Sequence, residues 1–97
     1  MQNILDISLI NYKFFSDRYI IFEKNGKGKE YNKYNDKLLF EGKYLNKKRN
    51  GKGKEYNKYD SLVFEGENLN GKRNGKGKEY YYNGILKFEG VYWNGKI

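Results

Sequence analysis

Six glutamates recur at a spacing that could set carboxylates in pairs. Glu30, Glu55 and Glu79 form one set, and Glu41, Glu65 and Glu89 the other. Two facing carboxyl groups are what glycoside hydrolysis needs, one to protonate the leaving group and one to attack or to activate water. A row generated by repetition has no unique pocket, however, and lysines on neighbouring positions make cross-strand ion pairs the simpler reading. Gly26-Lys27-Gly28 and its copies at Gly51 and Gly75 are glycine-rich like a phosphate loop. No third glycine follows at the dinucleotide spacing, and no Lys-Ser/Thr pair closes a P-loop.

The cationic residues give a third candidate. Lys47, Lys48, Arg49 and Lys52 stand at one expected hairpin end, and Lys72, Arg73 and Lys76 at the equivalent end one period later. The chain carries +8, and residues 1–23 contribute −1 of it, through Lys13 and Arg18 against Asp6, Asp17 and Glu23. A row of such turns could meet anionic lipid at about 1 kcal/mol per cation. The alternative is a set of solvated turns that keep the protein soluble and guard the sheet edges. A basic aromatic sheet can also bind single-stranded nucleic acid, but the RRM signature is missing and nucleic acid is set aside.

Absences narrow the chemistry further. The 97 residues include no Cys and no His, so there is no disulfide framework, thiolate metal site, imidazole base or His-dependent nucleophile. A non-enzymatic chain with no cofactor and no metal is expected. Hydrophobic residues make up 37%, and half of them are aromatic, with eleven Tyr, six Phe and one Trp. That aromatic load argues against disorder, while the shortage of aliphatic residues argues against a thick core. No apolar run approaches a membrane span. The first ten residues lack a basic start and carry Asp6 within their apolar stretch, unlike a secretory signal. A soluble, cytoplasmic protein is expected, with attachment to a membrane surface or the cytoskeleton as further options.

The elements that must position these residues come from repetition. Phe40-Glu41-Gly42 recurs at Phe64 and Phe88, and Asn25 to Tyr31 recurs unchanged from Asn50 and from Asn74. The one extra residue falls between Tyr31 and Phe40, which marks a loop. Stepping back from Asn25 aligns Phe15 with Phe40 and Tyr19 with Tyr44, a degraded first copy. Residues 1–12 then form an N-terminal cap, either a leading strand or a short helix, and 13–97 the array. Its parts are a degenerate repeat 13–37, repeats 38–61 and 62–85, and a partial repeat 86–97. Six Asn-Gly dipeptides, at 25, 50, 70, 74, 83 and 94, supply turns. Strands are expected over 38–45, 52–56, 62–69, 76–82 and 86–93. Alternation puts Phe40, Gly42 and Tyr44 on one face, with Phe64 and Gly66, then Phe88, Gly90 and Tyr92, in later copies. Gly51, Gly53, Gly75 and Gly77 lie in the partner strands, where aromatic rings can cover a backbone that has no Cβ. Trp93 is counted with the structural residues. The fold class is all-β, an elongated twisted antiparallel sheet of successive hairpins.

Phe-Glu-Gly-x-Tyr-x-Asn-Gly-Lys, as at Phe88 to Lys96, continues at Gly66 to Gly77 into Gly-x-Gly, and resembles the MORN repeat. Glu79 to Gly90 is closer to the variant form of that repeat found in many microbial proteins. The resemblance covers about residues 13–97. It implies a hairpin array without catalytic activity, used in scaffolds and assemblies, with a debated role at phospholipid surfaces. Some bacterial proteins with the variant repeat are labelled antitoxin components. Two positions depart from the pattern: Lys47 stands for a turn glycine and Asn68 for an aromatic. The resulting expectation is a scaffold or protein-interaction module, with self-association included. Binding to an anionic membrane surface is the alternative, and antitoxin-like masking of a protein a weaker one.

Overall fold

Short alternating segments separated by Asn-rich turns can satisfy their backbone only by pairing with their neighbours in sequence, and the chain does so throughout. The computed structural model describes residues 12–14 and 17–97. Its strands are β1 (Tyr12–Phe14), β2 (Arg18–Phe22), β3 (Lys27–Asn32), β4 (Leu38–Leu45), β5 (Lys48–Tyr56), β6 (Leu62–Leu69), β7 (Lys72–Tyr80) and β8 (Leu86–Tyr92). They form one antiparallel sheet in chain order, within an elongated envelope of 45 × 27 × 22 Å. No helix among the described residues is long and apolar enough to cross a membrane. The cap expected over 1–12 lies outside the described residues apart from Tyr12.

The turns at one end of the sheet are tight. Asn46-Lys47, Asn70-Gly71 and Asn94-Gly95 all take positive φ at both central residues, the geometry that matches strand twist in two-residue hairpins. At the opposite end, Asn32 and Asn57 accept backbone N–H groups of their own turns through Oδ1, at 2.8 Å from Tyr34 and 2.9 Å from Tyr59. The inserted residue sits here, as expected: the turn closes from Asn32 to Lys37, against Asn57 to Ser61 one repeat later.

Two expectations need correction. β5 and β7 begin four residues earlier than expected, because Asn50-Gly51 and Asn74-Gly75 are not turns. They lie inside the strands at register shifts, with Gly51 at φ +104° and Gly75 at φ +99°. A glycine that takes positive φ in a bulge leaves the strand unbroken. The bulge also ties repeats together, since the next turn docks on it. Gly71 N–H donates to Arg49 O at 2.9 Å, Gly95 N–H to Arg73 O at 2.8 Å, and Asn94 N–H to Asn74 Oδ1 at 3.0 Å. The second correction concerns the first copy. Glu30 pairs with both Ile20 and Phe40, so Ile20, not Phe15, stands in line with Phe40. The β2–β3 hairpin is shorter than the later ones, since Ile20 pairs with Glu30 across a turn at Glu23–Gly26 without the bulge that separates Phe40 from Glu55.

Three rows run across the sheet. Ile20, Glu30, Phe40, Glu55, Phe64, Glu79 and Phe88 follow one another in register on one face. Beside them runs Phe22, Gly28, Gly42, Gly53, Gly66, Gly77 and Gly90. The rings lie down on this glycine row: a Cβ on Gly53 would collide with the Phe40 ring, and one on Gly77 would meet Phe64 Cε1 at 2.7 Å. Phe40 and Phe64 are thereby sealed completely, and Ile20 and Tyr92 nearly so. The third row, on the opposite face, alternates in charge: Lys29, Glu41, Lys54, Glu65, Lys78, Glu89.

Candidate functional site

The ring-bearing face is not left open to solvent as a thin aromatic platform would be. Long side chains from the same sheet roof it over. Tyr44 stands edge-on to Phe22 and Phe40, and Tyr92 edge-on to Phe64 and Phe88. Arg49 lies 4.0 Å above the Phe40 ring and Arg73 4.1 Å above that of Phe64. The glutamates of this face are their anchors. Glu30 accepts from Arg18 at 3.0 Å, from Arg49 at 2.7 and 2.8 Å, and from the Tyr44 hydroxyl at 2.6 Å. Glu55 accepts from Arg73 at 3.1 and 3.0 Å, and the Tyr92 hydroxyl donates to Glu79. The result is an ion ladder, Arg18, Glu30, Arg49, Glu55, Arg73, Glu79, closed by Arg49 to Glu55 at 3.7 Å and Arg73 to Glu79 at 3.4 Å.

Burial alone would raise the Glu30 carboxyl, but the bonds and charge of Arg49, then Tyr44 and Arg18, outweigh it and hold the group below its ordinary value. Glu30 therefore has no proton to offer near neutrality. Burial and then the Glu30 carboxylate push the Tyr44 hydroxyl well up, and burial with Glu79 pushes Tyr92 up to about 12. On the other face, burial and the bond to Glu41 at 2.6 Å take Tyr56 up to about 12.

The seven basic candidates divide. Lys47, Lys48 and Lys72 are exposed at the tight-turn end. Arg49 and Arg73 are not part of that cationic row: both turn inward onto Glu30 and Glu55, because a guanidinium over a ring with a carboxylate at its edge is better served there than in water. Lys52 and Lys76 lie along a groove on the opposite face. This groove, of about 980 Å³, has glycine backbone for its floor, from Gly28 to Gly90. Its walls are the alternating Lys29 to Glu89 row and a second line of Lys27, Lys43, Lys52, Glu67 and Lys76. Charged walls on an open trough differ from the mostly apolar lining of small-molecule sites. Lysine and glutamate stand opposite one another here, yet among the described residues the ion pairs are made by Arg18, Lys37, Arg49 and Arg73.

Of the structural residues, Phe40, Phe64, Phe88, Tyr44 and Tyr92 lie on the ring-bearing face with Gly42, Gly53, Gly66, Gly77 and Gly90, whereas Gly51 and Gly75 sit in bulges against the side chains of Lys43 and Glu67 and not beneath rings. Trp93 does not pack among them: it is 77% exposed, on the side occupied by Leu45 and Leu69 in earlier copies. Asn68 fills the place of the missing aromatic. It is 4% exposed, donates to Gly51 O at 3.3 Å, and leaves its Oδ1 without a partner.

Sequence reasoning missed the exposed apolar rim of the last hairpin. Tyr82, Ile85, Leu86, Val91, Trp93 and Ile97 are all largely exposed along or beside β8, a strand paired on one side only. The signal for it in the sequence is the high apolar content of residues 81–97. No protein-family model, curated protein or solved structure matches this chain.

Proposed function

We propose that this chain is a non-catalytic, MORN-type repeat module that binds other proteins as a scaffold element. The observation that carries this reading is the contrast between a self-sealed face and the unsealed rim at β8. Three of the carboxylates that might have done chemistry, Glu30, Glu55 and Glu79, are tied to arginines and tyrosines that also cover the rings, a structural use of charge. The apolar side chains left outside, Leu86, Val91, Trp93 and Ile97, flank an open strand edge, and such edges pair with other chains. The test is selection of a display library of random peptides on the immobilised chain. The wild type is expected to enrich extended apolar sequences, and a Val91→Lys, Trp93→Lys variant to enrich none; equal enrichment by both refutes the reading.

One observation favours a second reading, attachment to an anionic membrane surface. Lys47, Lys48, Lys72 and Lys96 remain exposed on tight turns of the same sheet end. Vesicles with anionic lipid would then bind the wild type, and reversal of these four charges would release it, whereas neutral vesicles would bind neither.

A further inference from the structure

On the roofed face the two central arginines occupy equivalent seats. Arg49 covers Phe40, grips Glu30 with two nitrogens and approaches Glu55 with the third. Arg73 does the same one repeat later, over Phe64, on Glu55 and towards Glu79. A seat is thus a phenylalanine in register with a glutamate, filled by an arginine from the strand beyond the phenylalanine. Phe88 and Glu79 build a third.

Among the described residues none fills it. Arg49 pairs with Tyr44 next to the Leu45–Lys48 pair, and Arg73 with Asn68 next to the Leu69–Lys72 pair. Trp93 and Lys96 form the corresponding pair after Tyr92, so the residue at the arginine position is Ile97. Ile97 is 71% exposed. Phe88, unlike Phe40 and Phe64, is only half-buried, and among the described residues no cation lies over its ring.

We infer that the Phe88–Glu79 seat binds an arginine side chain carried by an extended segment of another protein that pairs along β8. A ring face with a carboxylate at its rim selects a planar fork of donors over a compact ammonium. The strand that delivers the arginine in the first two seats is the one paired beyond the phenylalanine, and β8 offers that same side free. A second copy of the chain cannot supply the group from its ordered repertoire, since its three arginines, Arg18, Arg49 and Arg73, are already bonded to glutamates. The inference rests on the reading of the chain as a protein-interaction module and gives that partner its chemistry.

The probe is the peptide Lys-Arg-Asn-Gly-Lys-Gly-Lys-Glu-Tyr, the shared sequence of β5 and β7, compared with its copy carrying lysine for arginine. Both are titrated into the full chain and followed by Trp93 fluorescence. The arginine peptide is expected to bind about ten-fold more tightly than the lysine peptide. Ile97→Arg, an exposed substitution that fills the seat from within, should abolish that preference, as should Glu79→Gln. Equal affinity for the two peptides, or a preference that survives Ile97→Arg, overturns the inference. Concentration-dependent mass in sedimentation equilibrium that Ile97→Arg abolishes also overturns it, by giving the seat to a second copy. If the display selection enriches peptides without arginine, this inference fails and the module reading stands; if it enriches none, the module reading itself fails.

Discussion

Asn68→Tyr should stabilise the protein, because it completes a pattern that the chain follows on either side. Tyr44 bonds Glu30 and rests above Gly28, where a Cβ would lie 2.8 Å from its ring. Tyr92 bonds Glu79 and lies near Gly77 in the same way. At the middle copy, Glu55 receives arginine but no tyrosine hydroxyl, and Asn68, whose Nδ2 lies above Gly53, leaves its buried Oδ1 orphaned. A hydroxyl donated to a carboxylate contributes about 1.5–3 kcal/mol, and removing an unsatisfied buried acceptor recovers about 1–3 kcal/mol. Edge-on contact with Phe40 and Phe64 adds about 1 kcal/mol. Against this stand the Asn68–Gly51 hydrogen bond, worth about 1 kcal/mol, and the side-chain entropy of the new ring, up to about 2 kcal/mol. A net gain of about 2 kcal/mol would raise the melting midpoint by roughly 10 °C for a domain of this size. Circular dichroism melts of the wild type, Asn68→Tyr, Glu55→Gln and the double variant would separate the contributions. The gain should shrink by about 1 kcal/mol in the Glu55→Gln background, since the hydroxyl then meets a neutral acceptor. An unchanged or lower midpoint for Asn68→Tyr would refute the argument from the neighbouring repeats.

Lys47→Gly should raise the unfolding free energy from urea denaturation by about 0.5–1 kcal/mol, because Lys47 sits at φ +64° where the equivalent turns have glycine; a decrease would show that the lysine makes a contact of greater value. Gly77→Ala should cost about 1–3 kcal/mol in the same assay, since its Cβ would press on the Phe64 and Tyr92 rings. The Glu30 carboxyl titrates below its ordinary value when folded, so the stability it confers is present above its unfolded value and is lost as pH falls through the folded one. Denaturation series run down that range should therefore show stability rising with pH, and Glu30→Gln should flatten the slope on the acid side; an unaltered slope would remove Glu30 from the ladder's energetics.

Much of this architecture was legible in the residues. The period, the strand pattern, the one-residue insertion and the lodging of Phe40 and Phe64 over glycine all follow from spacing and alternation. The register of β2 was not legible, because Ser16-Asp17 and the Glu23–Gly26 connection carry no glycine row to pin it. Asn50-Gly51 misled for a related reason: the dipeptide permits positive φ both in a turn and in a bulge, and only pairing on both sides of β5 decides between them. The inward turn of Arg49 and Arg73 was hidden by their neighbours. Each follows exposed lysine in sequence, yet alternation sends it to the opposite face, and the bulge after it fixes that choice. The unfilled third seat became visible only once Arg49 and Arg73 had shown what fills the other two.

The strictly sequential order of the strands has a mechanical consequence. The first and last strands lie at opposite edges of the sheet, so tension applied at the two ends acts across the strands and not along them. Hydrogen bonds loaded in that direction open one after another, as a zip does, and do not have to break together in shear. The tethered chain would lengthen in small steps at low force, one hairpin at a time. Each released segment could rewind on its neighbour, because every contact it needs is local in sequence and quickly recovered. A sheet built in this way yields and recoils under load instead of holding to a single rupture.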